Sequence, residues 1–296
     1  MKQIISKVLV TTLILFNMES QAQSFKTIET GNLKLQVYNA SENSFGVASV
    51  IVSGKTDAVL IDAQFTLADA EKVAQEIKAS GKKLTTIYVS HADPDYYFGL
   101  EIFKKYFPEV VAYASPASVE AIKATAQKKL DVWGERLGKA ITSNVILPQV
   151  LKGNSIELEG HKLEIVGLEE FPNKTFVWIP SIKAVVGGIN VFGTTFHLWM
   201  ADAQTPEARK SWITVLEKIT ALKPEIVIPA HAKSDSDFNL KAVNHTKSYI
   251  QFYEDALKTN KTSEALITAL KTKYPTLTFD IALQIGAKVN TGEMKW

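Results

Sequence analysis

From residue 24 to residue 63 apolar positions alternate or gather in short runs, with strand-like segments at roughly 24–30, 33–38, 46–53 and 57–62. Turn signals separate them at Gly31-Asn32, across 39–44 and at Gly54-Lys55-Thr56. The last segment, DAVLID, is short, apolar and β-branched, which suits a buried strand. A helical period then takes over. Leu67, Ala70, Val73, Ala74 and Ile77 predict a helix over about 66–80, stopped by Gly81. A strand at 85–90, a polar loop from His91, a helix near 99–107, a strand near 109–114 and a long helix near 116–140 follow. The second half repeats the plan, with strands near 155–158, 162–167, 175–179 and 183–187. Thr205-Pro206-Glu207 opens a helix over 206–222, with a capping hydroxyl and Pro at the first helical position. Its buried stripe is Ala208, Trp212, Val215, Leu216, Ile219 and Leu222, and Lys223-Pro224 ends it. A strand at 225–229 delivers His231 at its tip, and 235–295 reads mostly helical. Two strand-rich stretches, each followed by helices, predict an α/β fold with two sheets packed together and helices outside. No linker divides the chain, so 23–296 reads as one domain.

The segment before it reads as an address. Lys2 and Lys7 precede a short apolar run at 8–16, and Ser20 and Ala22 supply the small residues of a cleavage site, so 1–22 is predicted to be a secretory signal peptide. The expectation is an exported protein, periplasmic or secreted, with no stable membrane insertion. The net charge of +2 argues against a nucleic-acid partner. Among 296 residues there are five His and no Cys. A Cys nucleophile, a disulfide framework and thiolate metal ligands are therefore excluded, and any metal must be held by His and oxygen.

Candidate chemistry concentrates in the string VSHADPDYYFGL at 89–100. A strand ends and His91, Asp93 and Asp95 follow at alternate positions, where they either converge on a cation or form a turn that caps the next helix. His231, after Pro229, sits at another strand tip. Gly54-Lys55-Thr56 is not a P-loop, because Ser49 stands where the first Gly belongs. No G-x-S-x-G elbow is present. His161 in a turn and His245 in a helix read as incidental, and the lysines of 116–140 as a solvated face.

Taken together, DAVLID, V-S-H at 89–91, W-I-P at 178–180, V-V-G-G at 185–188 and I-P-A-H at 228–231 occur in a telling order. Over roughly 45–235 the chain resembles the metallo-β-lactamase-fold hydrolases, which implies a four-layer αβ/βα sandwich. The resemblance matches His91 to the first His of the family's H-x-H-x-D-H run, Asp95 to its Asp and His231 to the final His. Asp93 replaces the second His and Tyr96 the third. Around 167–180 the expected His is missing and Glu170 lies nearest. Ile189 holds the position of a further Asp, with Asn190 adjacent.

The resemblance implies a metal-bound hydroxide attacking a carbonyl or phosphoryl centre, with Asp95 orienting it or handling its proton. His91, Asp93, Asp95 and His231 offer two nitrogens and two carboxylates, a set for one divalent ion, Zn²⁺ or the harder Mn²⁺ or Fe²⁺. His197, Trp199 and Asp202 fall on a loop that this fold places at the mouth of the site; His197 either contacts substrate, replaces a lost ligand or pairs with Asp202 to fix the loop. Tyr96, Tyr97 and Phe98 either line an apolar substrate wall or pack a helix onto the sheet. The leading expectation is an exported metal-dependent hydrolase with a mononuclear site, acting on a small ester, lactone, amide or β-lactam. A non-catalytic binding protein that kept the fold and lost its metals is the alternative. A third reading is a metal-independent enzyme with His197 and Asp95 as an acid–base pair.

Overall fold

The computed structural model describes residues 25–296; the segment 1–22, expected to be a signal peptide, lies outside them. Among the described residues, one sheet has seven strands in sequence order: β1 (Lys26–Glu29), β2 (Lys34–Asn39), β3 (Ala48–Ser53), β4 (Asp57–Ile61), β5 (Lys83–Val89), β6 (Val111–Ala114) and β7 (Gln149–Val150). The first four pair antiparallel, and β4 through β7 run parallel. The parallel half needs crossovers, supplied by α1 (Leu67–Ala79), the short α2 (Pro94–Tyr97) with α3 (Leu100–Tyr106), and α4 (Pro116–Leu137). The second sheet holds β8 (Ser155–Leu158), β9 (His161–Val166), β10 (Phe176–Ile179), β11 (Ala184–Val186) and β12 (Ile226–Val227), with α5 (Pro206–Ala221) leading into β12. Three helices, α6 (Leu240–Thr259), α7 (Ser263–Lys273) and α8 (Asp280–Asn290), complete the chain.

Strand parity builds the layers. Val59 and Ile61 of β4 and Tyr88 of β5 face the second sheet, meeting Ile165, Val177 and Val186. Their neighbours Ala58, Leu60, Ile87 and Val89 face α1, α3 and α4. On the far side, Trp178, Val185 and Val227 pack against Trp212, Leu216 and Tyr249 of α5 and α6. The result is the αβ/βα sandwich, with one apolar layer between the sheets and one outside each. Among the described residues no helix is long and apolar enough to cross a membrane.

The helix expected at 99–107 begins earlier and is split. Pro94 starts α2, and Gly99 stands at the break, where a Cβ would lie 1.9 Å from the Ala63 carbonyl oxygen. The strand expected at 225–229 is only Ile226–Val227, because Pro229 has no N–H for the ladder. Two residues later His231 forms isolated bridges with Val47, just before β3, and with Phe192. Strand β7, short and exposed, carries no alternation that would have marked it.

Candidate active site

Two strand ends, after β5 and after β12, bring the candidate residues to one edge of the sandwich. The first is anchored by Asp62 just beyond β4. The Ser90 backbone N–H donates to Asp62 Oδ1 and the Ser90 hydroxyl to Oδ2, both at 2.7 Å. Gly188 N–H in turn donates to the Ser90 Oγ at 2.6 Å. Burial pushes the Asp62 carboxyl up to about 7, against the two bonds from Ser90. A raised folded-state pKa contributes stability that is fully present below the ordinary value of 3.8 and is lost as pH rises through about 7. Between pH 5.5 and pH 8 the wild type should therefore give up on the order of 2 kcal/mol that a neutral Asn does not. The melting-temperature deficit of Asp62→Asn relative to wild type is expected to shrink over that interval, and a deficit independent of pH would contradict this.

Beyond Ser90, His91 and Asp93 form one pair. The Asp93 backbone N–H donates to His91 Nδ1 at 3.3 Å, and Asp93 Oδ2 lies 3.4 Å from the same nitrogen. Asp93 occupies the N-cap of α2 by its backbone, but its carboxylate makes no capping bond. It turns instead to α4, where Lys129 Nζ donates to Asp93 Oδ1 and to the Ala92 carbonyl, both at 2.8 Å. Burial alone would raise the Asp93 carboxyl, but His91 and Lys129 together outweigh it and hold it well below the usual carboxylate range.

Asp95 and His231 form the second pair. His231 Nδ1 meets the Phe45 carbonyl at 3.0 Å, and since a carbonyl only accepts, Nδ1 carries the proton. Nε2 is left as an acceptor and takes the Tyr96 hydroxyl at 3.2 Å, with Asp95 Oδ2 at 3.7 Å. Burial pushes His231 down to about 4, so it is neutral at physiological pH. Burial and then the charge of nearby Asp95 push Tyr96 well above the ordinary phenol value, so it keeps the proton it donates. Asp95 is raised well above the carboxylate range, first by burial and then by Asp93.

A cleft in two joined lobes opens over these pairs. The smaller, about 270 Å³, is lined by His91, Asp93, Lys129, Lys174 and Trp212 among others. The larger, about 430 Å³, reaches Asp95 and His231 at its base and is walled by aromatic rings. Lys129, Ile189, Trp199 and Asp202 border both.

The structure thus brings His91, Asp93, Asp95, His231 and Trp199 to the cleft. The remaining expectations need correction. Tyr96 is only 1% exposed and lies behind the cleft between the His91 and His231 rings, so it is no substrate wall. Tyr97 and Phe98 pack in the core under the first sheet. His197 is fully buried, bonded through Nδ1 to the Tyr249 hydroxyl at 3.0 Å rather than to Asp202, and borders neither lobe. That removes it as a substrate contact and as partner of Asp95. Glu170 is exposed and pairs with Lys218 on α5. Asn190 is buried and structural, its Nδ2 donating to the Lys174 carbonyl at 2.8 Å. The lysines of α4 are not all a solvated face, since Lys129 is three-quarters buried against Asp93. Its signal was a stripe: Thr125, Lys129, Val132 and Arg136 recur every three or four residues and all border the larger lobe.

Among the described residues no three His, Asp or Glu side chains are grouped to hold a metal ion. The candidate ligand set divides into two separate pairs, and each has found another cation or proton. Lys129 puts an ammonium on Asp93, and Tyr96 puts a hydroxyl proton on the His231 nitrogen a metal would need. Ile189 presents hydrocarbon where the resemblance places an Asp. A dication 4 Å from an ammonium would be repelled by about 8 kcal/mol at an effective dielectric of 20. Residues arranged in this way do not fit a divalent ion.

Residues 43–180 match the family model described as the metallo-β-lactamase superfamily, whose members generally bind divalent metals such as zinc. No curated protein matches the chain. In fold it is similar to a metallo-β-lactamase from Hirschia baltica, with a TM-score of 0.56 and 16% identity over 77% of this chain and 98% of that one. It is also similar to metallo-β-lactamase IND-7, at 0.55 and 18% identity over 78% and 100%. The metallo-β-lactamase from Pontibacter korlensis gives 0.52 and 18% over 77% and 99%. At these identities the likeness is one of fold.

Proposed function

We propose, from the premise that this chain belongs to the metallo-β-lactamase superfamily, that it is an exported hydrolase of small esters, lactones, amides or β-lactams whose site works with an internal ammonium in place of a metal. One observation carries the reading: His91, Asp93 and Lys129 form a connected relay that borders the cleft. With the Nδ1 proton turned to Asp93 Oδ2, in place of the bond that Nδ1 accepts from the Asp93 N–H, Nε2 is left for a water in the smaller lobe. His91 Nε2 takes a proton from that water as its oxygen bonds to the substrate carbonyl carbon. The carbonyl π electrons move onto oxygen, and the remaining Lys129 N–H stabilises the oxyanion. Collapse restores the carbonyl and expels the leaving group, which receives a proton from Asp95, whose carboxyl burial and then Asp93 raise. Asp95 is reprotonated by the proton His91 gave up to solvent, so the cycle consumes one water.

The size and aromatic character of the larger lobe favour a second reading, binding without turnover. One experiment separates them. Chain lacking 1–22 is assayed against chromogenic esters, lactones, amides and a β-lactam, with and without a strong chelator. Chelator-insensitive hydrolysis is expected. Activity abolished by chelation and restored by zinc would overturn the metal-free site, and no turnover anywhere in the panel would leave the binding reading standing.

A further inference from the structure

The larger lobe has a composition that a small neutral ester does not require. Phe45 and Phe65 stack at 5.3 Å, and the Trp133 ring sets its edge against both, also at 5.3 Å. Trp199 continues the wall, 6.3 Å from Phe279 and 5.6 Å from Trp296. Trp296 is tied down by its indole N–H, which donates to Asp202 at 2.6 Å. Flat rings on several sides make a receptor for a flat apolar body, because offset and edge-on aromatic contacts add to simple burial.

The mouth of the same lobe is cationic. Lys128, Arg136 and Lys295 border it, all exposed, and none has an ion pair among the described residues. The Arg136 guanidinium lies over the Trp133 ring at 5.3 Å, held in place while its N–H groups stay available. The acids that border the lobe offset only part of this charge at the rim. Asp93 is paired with Lys129, Asp202 accepts from Trp296, and Asp95 is buried at the base.

We propose that the larger lobe binds an amphipathic anion: a fused-ring or extended aromatic body lying among Phe45, Phe65, Trp133 and Trp199, with a carboxylate or similar oxyanion at the rim held by Arg136, Lys128 and Lys295. The assignment rests on the reading that this cleft is the substrate site, and it names the class of molecule that enters it. The anionic end lies at the mouth, and the bond to be cut lies toward His91, so the charge that recognises the ligand is remote from the reacting carbonyl.

The test uses 2-naphthoate and its neutral counterpart 2-naphthamide, with tryptophan fluorescence and calorimetry reading binding apart from turnover. Naphthoate is expected to bind at least about tenfold more tightly than the amide. In a Lys128→Ser, Arg136→Ser, Lys295→Ser variant that preference should vanish while amide binding stays within a few-fold. Trp133→Ala should weaken both ligands. Equal binding of acid and amide, no binding of either, or a preference that survives the triple variant would overturn the assignment. Naphthoate preference in a chain that hydrolyses nothing would sink only the hydrolase reading. Hydrolysis without any anion preference would sink only this one.

Discussion

Replacing Lys129 with methionine is expected to lower turnover roughly 10²–10³-fold, the usual consequence of losing one preorganised donor to an oxyanion. The ammonium has three protons. Two are committed at 2.8 Å, to the Ala92 carbonyl and to Asp93, and one is left for the cleft. Methionine keeps most of the apolar stem, so the fold should lose little beyond the ion pair. With each partner about a quarter exposed, that loss is about 1–2 kcal/mol. A further effect passes through Asp93, whose carboxyl would rise once the neighbouring charge is gone and burial is less opposed. Lys129→Arg keeps the charge and should recover part of the rate. Steady-state kinetics on both variants check this: kcat falls in the Met variant with KM changed only a few-fold. An unchanged kcat would remove Lys129 from the chemistry.

His91→Ala is expected to cost about 10²–10⁴ in kcat, the range for a positioned general base. Asp93→Asn should cost a similar amount, because the anion that orients the imidazole and favours its protonated form is lost. The two act as a unit, so the double variant should be scarcely worse than either single one. Fully additive losses would mean that His91 and Asp93 work independently. Wild-type kcat in His91→Ala would move the chemistry elsewhere in the cleft.

Much of this fold could be read from local pattern. DAVLID, read as a buried strand from its apolar, β-branched run, is one, with Val59 and Ile61 between the sheets and Ala58 and Leu60 beneath the helices. The Thr205 cap behaves as its sequence suggests, accepting from Ala208 N–H. His91, Asp95 and His231 were legible because strand ends deliver them, and a strand end is marked by where an apolar run stops. Their partners were not. Lys129 reaches Asp93 across 36 residues and Phe45 meets His231 across 186, and no local period encodes either contact. His197 misled for a related reason. It sits between buried Phe196 and Leu198 in a loop that looks exposed by sequence, yet it is fully buried against Tyr249 of α6. The ligand set was read by residue type, which cannot reveal that an ammonium and a phenol have already taken the places beside those ligands.

Zinc binding by the unaltered chain tests the internal-cation site most directly. Chain stripped with a chelator is titrated with zinc by calorimetry, alongside elemental analysis of untreated protein. The expected result is no stoichiometric metal in the purified chain and no saturable binding at His91, Asp93, Asp95 or His231, with the same hydrolytic rate before and after stripping. One tightly held zinc per chain, lost in both His91→Ala and His231→Ala, would contradict it.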